Sequence, residues 1–236
     1  MKNDTKYSTK ENLQILYEDN HIIVINKRVG DIVQGDKTGD KPLSEVVKEY
    51  IKEKYNKPGE VFLGVVHRLD RPTTGIVVFA RTSKALTRLN ELFKDRKLDK
   101  IYWAVVQNQP KQSHASLTHY LAKNEKTNTS KAYDKEVSNS KRAILDYKII
   151  QKLSNYTVLE VKLHTGRHHQ IRCQLSAIGL PIKGDLKYGA KRSNQDGGIH
   201  LHAKFLTFIH PVSKNEIFIN APLPNETLWN AVKDEK

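Results

Sequence analysis

The sequence predicts an α+β fold built on a large, mainly antiparallel sheet. Strand-like runs outnumber helical ones, and several of the connections between them are short. At 236 residues the chain can bury a sizeable core within one domain, with no internal repeat.

Each element follows from its local pattern. Residues 1–11 are polar and expected to be loose, leaving 12–236 as the domain. Residues 13–17 and 21–26 read as two strands joined by Glu18, Asp19 and Asn20. Over residues 43–55, Val46, Val47, Tyr50 and Ile51 share one helical face, and Lys57-Pro58-Gly59 ends the helix. Residues 61–66 and 76–80 are short β-branched-rich runs bounded by Gly and Pro, the pattern of buried strands. Ser83 is the expected N-cap of a second helix with the stripe Leu86, Leu89, Leu92 and Phe93. Residues 101–106 form the next strand. The polar, lysine-rich stretch 109–142 reads as a hairpin insertion with flexible segments and a strand near 116–121. Alternation over 143–150 and 156–163 predicts two strands. Residues 168–178 follow as a helix with Ile171, Leu175 and Ile178 facing inward. After a loop at 192–198 come strands near 199–209 and 216–219 and a short helix around Trp229.

The net charge of +14 points to a polyanionic partner. Its distribution matters more than its size. Residues 81–100 hold seven Lys/Arg against three Asp/Glu, and residues 161–192 hold seven against one, with three histidines. A solvated basic surface kept for solubility would also be basic. Concentration of positive charge around a Gly-Arg-His-His run is better explained as a phosphate track. The single cysteine, Cys173, permits no internal disulfide, so a reducing, cytoplasmic setting is expected, with Cys173 as a small core side chain. The first residues lack the apolar core of a signal peptide, and no run approaches a membrane span.

The stretch from Gly64 to Gly75 carries the most chemical information. It sets Asp70 between Arg68 and Arg71, beside Pro72, on a loop between two apolar runs. Adjacent guanidinium groups favour the ionised carboxylate, which can act as a nucleophile toward an electron-poor carbon. Taken alone, such an Asp more often closes a turn through a salt bridge.

His67-Arg68-Leu69-Asp70-Arg71-Pro72-Thr73-Thr74-Gly75 closely resembles the signature of the RluA-type pseudouridine synthases. Three further blocks follow in the order of that family. They are Lys100-Ile101-Tyr102-Trp103-Ala104-Val105-Val106, then Thr165-Gly166-Arg167-His168-His169-Gln170-Ile171-Arg172, then Gly179 to Asp185 with Tyr188-Gly189. With Leu201-His202-Ala203 and His210-Pro211, the resemblance runs from about residue 13 to residue 224.

The resemblance implies a mixed sheet split by a catalytic cleft, with helices packed outside. It implies isomerisation of uridine to pseudouridine in ribosomal or transfer RNA. Asp70 becomes the catalytic carboxylate, Arg172 its ion-pair partner, and Tyr102 the ring stacked on uracil. Three roles stay open to Asp70: attack on ribose, attack on the base, or proton abstraction at the sugar. Arg68 is assigned to displacing the target base from its stack. Arg71, Thr74 and Leu201 are assigned to substrate binding, as are Arg167 and His169 at a helix N-terminus suited to phosphate. Lys187, Lys191 and Arg192 are expected to hold flanking phosphates. The reaction is not a redox change, so no cofactor is expected, and the chain is expected to act as a monomer. Relatives often carry a small N-terminal RNA-binding domain. With only about a dozen residues before the catalytic blocks, that domain is expected to be absent.

Two departures stand out. Relatives often have Asn-Lys-Pro and then Gly where this chain has Asn26-Lys27-Arg28-Val29-Gly30, and Gln174 stands where His is commoner. Two other classes compete with the enzyme reading. A non-catalytic RNA-binding protein would explain the charge but would not require Asp70, Tyr102 and Arg172 together. A metal-dependent hydrolase would use His168, His169, His200 and His202, but no zinc spacing is complete and no third ligand can be named, so no metal is expected.

Overall fold

The computed structural model describes residues 7–233. In chain order its elements are β1 (Ile15–Glu18), β2 (Ile22–Lys27), α1 (Leu43–Lys54), β3 (Gly64–Val65), β4 (Thr74–Ala80), α2 (Ser83–Lys94), β5 (Leu98–Val106), β6 (His114–Asn124), β7 (Thr129–Tyr133), β8 (Ser140–Lys152), β9 (Thr157–Leu163), α3 (Gln170–Ala177), β10 (Leu201–Ile209), β11 (Glu216–Asn220) and α4 (Thr227–Asn230), with a 3₁₀ turn at Leu186–Tyr188. They form two compact units. The first comprises the chain up to Asp99 together with Ala203–Pro222, and the second comprises Lys100–His202 and the residues from Leu223 onward.

In the first unit the strands lie in the order β1-β2-β4-β10, with β3 on β4 and β11 on β10. The β1–β2, β2–β4, β3–β4 and β10–β11 pairings are antiparallel. Every residue of β2 and β4 is buried, which is why both read as continuous apolar runs rather than alternating ones. Burying side chains such as Ile23, Val24, Val77 and Phe79 stabilises the fold by about 1.5–3 kcal/mol each. Gly75 makes this packing possible. Its φ is +108°, and an added Cβ would lie 2.3 Å from the Ala203 carbonyl oxygen.

Local differences from expectation have local causes. The strand expected over 61–66 shrinks to Gly64–Val65, and Phe62 is exposed. Helix α2 is capped by Thr82, whose hydroxyl accepts from Ala85 N–H at 3.2 Å, so Ser83 is its first helical residue. Residues 1–6 of the expected loose segment lie outside the described residues. From Ser8 the chain is anchored rather than loose: Ser8 N–H and Oγ donate to Asp31 at 2.9 and 2.6 Å.

In the second unit the order is β5-β9-β8-β6-β7, with antiparallel pairing throughout. Stretch 109–142 contains the expected hairpin, β6 and β7, with the 116–121 strand inside β6, and also the start of β8. Its inward row, Leu117, His119 and Leu121, alternates with the polar outward row Ser116, Thr118 and Tyr120. Helix α3 covers the inward face, where Cys173 packs with Leu121, Ala143 and Tyr188. Burial pushes the Cys173 thiol up to about 11, in keeping with a core side chain. The helix is shorter than expected. His169 adopts a left-handed conformation (φ 52°) just before it, and Ile178, expected to face inward, is exposed beyond its end.

Candidate active site

Asp70 stands half-buried at the start of a tight turn in the first unit. Thr73 N–H closes the turn onto the Asp70 carbonyl at 3.0 Å, and Gly30 N–H donates to the Arg71 carbonyl at 3.0 Å. Beneath the turn lies Lys27, the last residue of β2 and 1% exposed. Its ammonium donates to the carbonyls of Thr73 (2.7 Å), Arg28 (2.9 Å) and Arg71 (3.1 Å). Three donors meet three acceptors, which satisfies a charge that would otherwise be prohibitively expensive to bury. Burial nonetheless pushes the Lys27 ammonium down to about 7, against the opposing charges of Asp31 and Asp70. His67 fastens the approach to the turn. Its Nε2 accepts from Val78 N–H at 3.0 Å, and its ring stacks on Phe93 with centroids 4.6 Å apart.

The departure at Arg28 fits this arrangement. Arg28 N–H donates to Asp31 Oδ2 at 3.3 Å, and its guanidinium donates to the Asn12 carbonyl at 3.2 Å. A proline at this position would have no N–H for the first bond.

Arg172, on α3 in the second unit, is 4% exposed. Its Nε and one Nη donate to Asp185 Oδ2 and Oδ1 at 2.7 and 2.8 Å, a bidentate fork between two buried side chains. Its guanidinium also lies 5.0 Å from the centre of the Tyr188 ring. The Tyr188 hydroxyl accepts from Ser130 N–H at 2.7 Å and pairs with His169 Nδ1 at 2.9 Å, and burial pushes it up to about 12. The loop before α3 is pinned by Gln170. Its side-chain oxygen accepts from Thr165 Oγ1 (2.7 Å) and Arg167 N–H (2.9 Å), while its amide donates to the Ile144 carbonyl (3.0 Å). At the other departure, Gln174, wholly buried, lies 3.0 Å from His119 Nδ1.

Tyr102 is buried in β5 opposite Val161, which is itself opposite Tyr147 of β8. Side-chain alternation puts Tyr102 and Trp103 on opposite faces. Tyr102 therefore shares the inward face covered by α3, so the second unit brings Tyr102 and Arg172 to one side of its sheet. Asp70 belongs to the other unit.

The remaining candidates fall in several settings. Arg68 is exposed, while Thr74 and Leu201 are buried as first residues of β4 and β10. Arg71 turns its guanidinium toward Asp40 and Thr38. Arg167 Nε donates to the Arg142 carbonyl at 3.0 Å, and His169 is engaged with Tyr188 and stacked on His168. Lys187, Lys191 and Arg192 are exposed on and after the 3₁₀ turn. His200 pairs with Glu226 at 2.8 Å and with Asn194 at 3.0 Å, and packs near Trp229.

Sequence reasoning missed the roles of Lys27, His67 and Asp185. Lys27 left one signal, a lysine closing an otherwise apolar buried strand. Asp185 was visible only as part of a motif without an assigned task.

The sequence profile of the RNA pseudouridylate synthase family matches residues 21–177. The ribosomal large subunit pseudouridine synthase D of Zymomonas mobilis is 32% identical over 225 residues, covering 91% of this chain and 70% of that protein. The ribosomal large subunit pseudouridine synthase C of Vibrio vulnificus is 32% identical over 227 residues, covering 93% and 69%. Among solved structures, human RNA Pseudouridylate Synthase Domain Containing 4 superposes with a TM-score of 0.77 at 26% identity, covering 90% of this chain and 89% of that one. The agreement in sequence and fold leads to one conclusion: the chain belongs to the RNA pseudouridylate synthase family.

Proposed function

We propose that the chain converts specific uridines of ribosomal RNA to pseudouridine, with Asp70 as the catalytic carboxylate. The observation that carries this reading is the Asp70 turn, held from below by the buried Lys27 ammonium through three of the surrounding carbonyls. A carboxylate on so constrained a loop is preorganised for chemistry. Isomerisation breaks the bond from ribose C1′ to uracil N1 and forms one from C1′ to C5. The proton lost at C5 is balanced by one gained at N1, so no oxidant or energy source is consumed.

In this reading Asp70 carries the chemistry, and Tyr102 and Arg172 take the roles that the family resemblance implies for them. Asp185 holds the Arg172 guanidinium through the two-pronged ion pair. Tyr102 stacks on uracil. Arg68 helps to extrude the base, and Arg71, Thr74, Arg167, His169 and Leu201 are assigned to substrate binding by the same resemblance. Ribosomal RNA is the substrate named for both bacterial relatives, the ribosomal large subunit pseudouridine synthases D and C. The test is a pseudouridine map of total RNA from cells with and without the gene. Loss of discrete sites in large-subunit ribosomal RNA is the expected result. Loss confined to transfer RNA would move the substrate, and an unchanged map would contradict the reading.

A further inference from the structure

Strand register in the second unit assembles a surface that the reaction does not use. Tyr120 of β6 is paired with Tyr133 of β7 on one side and with Arg142 of β8 on the other. Directly paired residues of antiparallel strands project from the same face. The three therefore form one row, Tyr133-Tyr120-Arg142, on the outward face. The next outward row is Lys131-Ala122-Ser140. The Lys131 ammonium lies 5.2 Å from the Tyr133 ring centre. Lys131 and Arg142 are exposed, and both tyrosines are partly so. Helix α3 packs on the opposite face, against Leu121 and Ala143.

Neither row contains an acid. Asp134, the residue after Tyr133, approaches His119 of the inward row at 3.9 Å. The rows are also tied to the loop before α3, because Arg167 Nε donates to the Arg142 carbonyl at 3.0 Å. A cross-strand tyrosine pair can serve the sheet alone. That role needs no cation on either side of the rings. Two partly exposed rings flanked by a lysine and an arginine, at the end of the sheet where β7 is the last strand, have the composition of a stacking platform for single-stranded nucleic acid.

We propose that the outward face of β6, β7 and β8 is a second RNA-binding surface. Unpaired nucleotides flanking the target stack on Tyr120 and Tyr133, and their phosphates are neutralised by Lys131 and Arg142. The proposal rests on the reading of the chain as an RNA-modifying enzyme and adds where the flank of its substrate lies.

The test uses the full chain and a single-stranded oligouridylate carrying 5-bromouracil. Tyr120→Leu/Tyr133→Leu weakens its binding by about tenfold or more, as expected for loss of base–aromatic stacking. Tyr120→Phe/Tyr133→Phe keeps the affinity, because the rings remain. Lys131→Gln/Arg142→Gln flattens the salt dependence by about 0.7 per lost contact. Photocrosslinks on the unmutated protein map to Tyr120 or Tyr133, a readout independent of whether the Leu variant folds. Equal affinity of a folded Leu variant, or crosslinks that avoid both tyrosines, overturns the proposal, including the case where this face serves a protein partner. Pseudouridine formation by the unmutated protein on total ribosomal RNA is scored in parallel. Its absence counts against the enzyme reading, and its presence with an unaltered Leu variant counts against the platform alone.

Discussion

Arg172 and Asp185 meet as a two-pronged ion pair, 2.7 and 2.8 Å, with both side chains almost wholly removed from water. The pair fixes the guanidinium in two directions at once, since the Tyr188 ring lies 5.0 Å from its carbon. A buried charge is stable only while its partner is present. The sequence reading paired Arg172 with Asp70. The structure shows Asp185 holding Arg172 in place.

Asp185→Asn keeps the shape and removes the charge. It is expected to lower stability by about 3 kcal/mol and to reduce pseudouridine formation far more than RNA affinity. Arg172→Met/Asp185→Leu separates the two effects. Replacing both ions by apolar side chains restores much of the melting temperature and none of the activity. Recovery of activity in the double variant would remove Arg172 from the chemistry.

Lys27 gives a pH prediction. Its folded value, about 7, lies below the 10.5 of the free side chain. Between these limits the unfolded chain holds a proton that the native chain has released, so stability rises with pH across the window. The contribution is lost as pH falls through 7. Unfolding free energies of the unmutated protein and Lys27→Met, followed across that range by denaturant titration, should diverge with a slope of up to about 1.4 kcal/mol per pH unit. Lys27→Met should also cost about 3 kcal/mol or more by leaving carbonyls of the Asp70 turn unpaired. Parallel pH curves would contradict the assignment.

Gly75→Ala tests the close approach of β4 and β10. The left-handed φ and the 2.3 Å meeting with the Ala203 oxygen both oppose a Cβ. Destabilisation by about 2 kcal/mol or more is expected in a denaturant titration. A loss below about 0.5 kcal/mol, the scale of an ordinary surface substitution, would show that the backbone can move apart.

Much of this architecture was legible because the signals were local. The apolar runs of β2 and β4, the Gly-Pro-bounded Asp70 loop and the α1 stripe each depend on neighbouring residues. What escaped depends on distant ones. Polar stretch 109–142 reads as a hairpin insertion with flexible segments, and its full extent shows only once β6 is paired with β8 over nine residue pairs. Return of residues 203–222 to the first unit has no local sign at all. Thr82 took the cap from Ser83 because its backbone is extended while that of Ser83 is helical, a distinction one residue fine. Lys27 and Asp185 were missed for the same physical reason: a buried charge is explained only by the partner that neutralises or solvates it.

Lys187, Lys191 and Arg192 are exposed and follow the Asp185 segment. Neutralising all three should weaken RNA binding and flatten its salt dependence by about 0.7 per lost phosphate contact with single-stranded RNA. Salt-titrated anisotropy measures this slope. An unchanged slope would place the phosphates elsewhere.

The most direct test is Asp70→Asn, assayed for pseudouridine formation under single-turnover conditions and for RNA affinity in parallel. The account predicts that product formation falls to background while affinity stays within a few-fold, because the basic surfaces that bind RNA are untouched. Turnover close to that of the unmutated protein would contradict the assignment of Asp70, and with it the proposed mechanism.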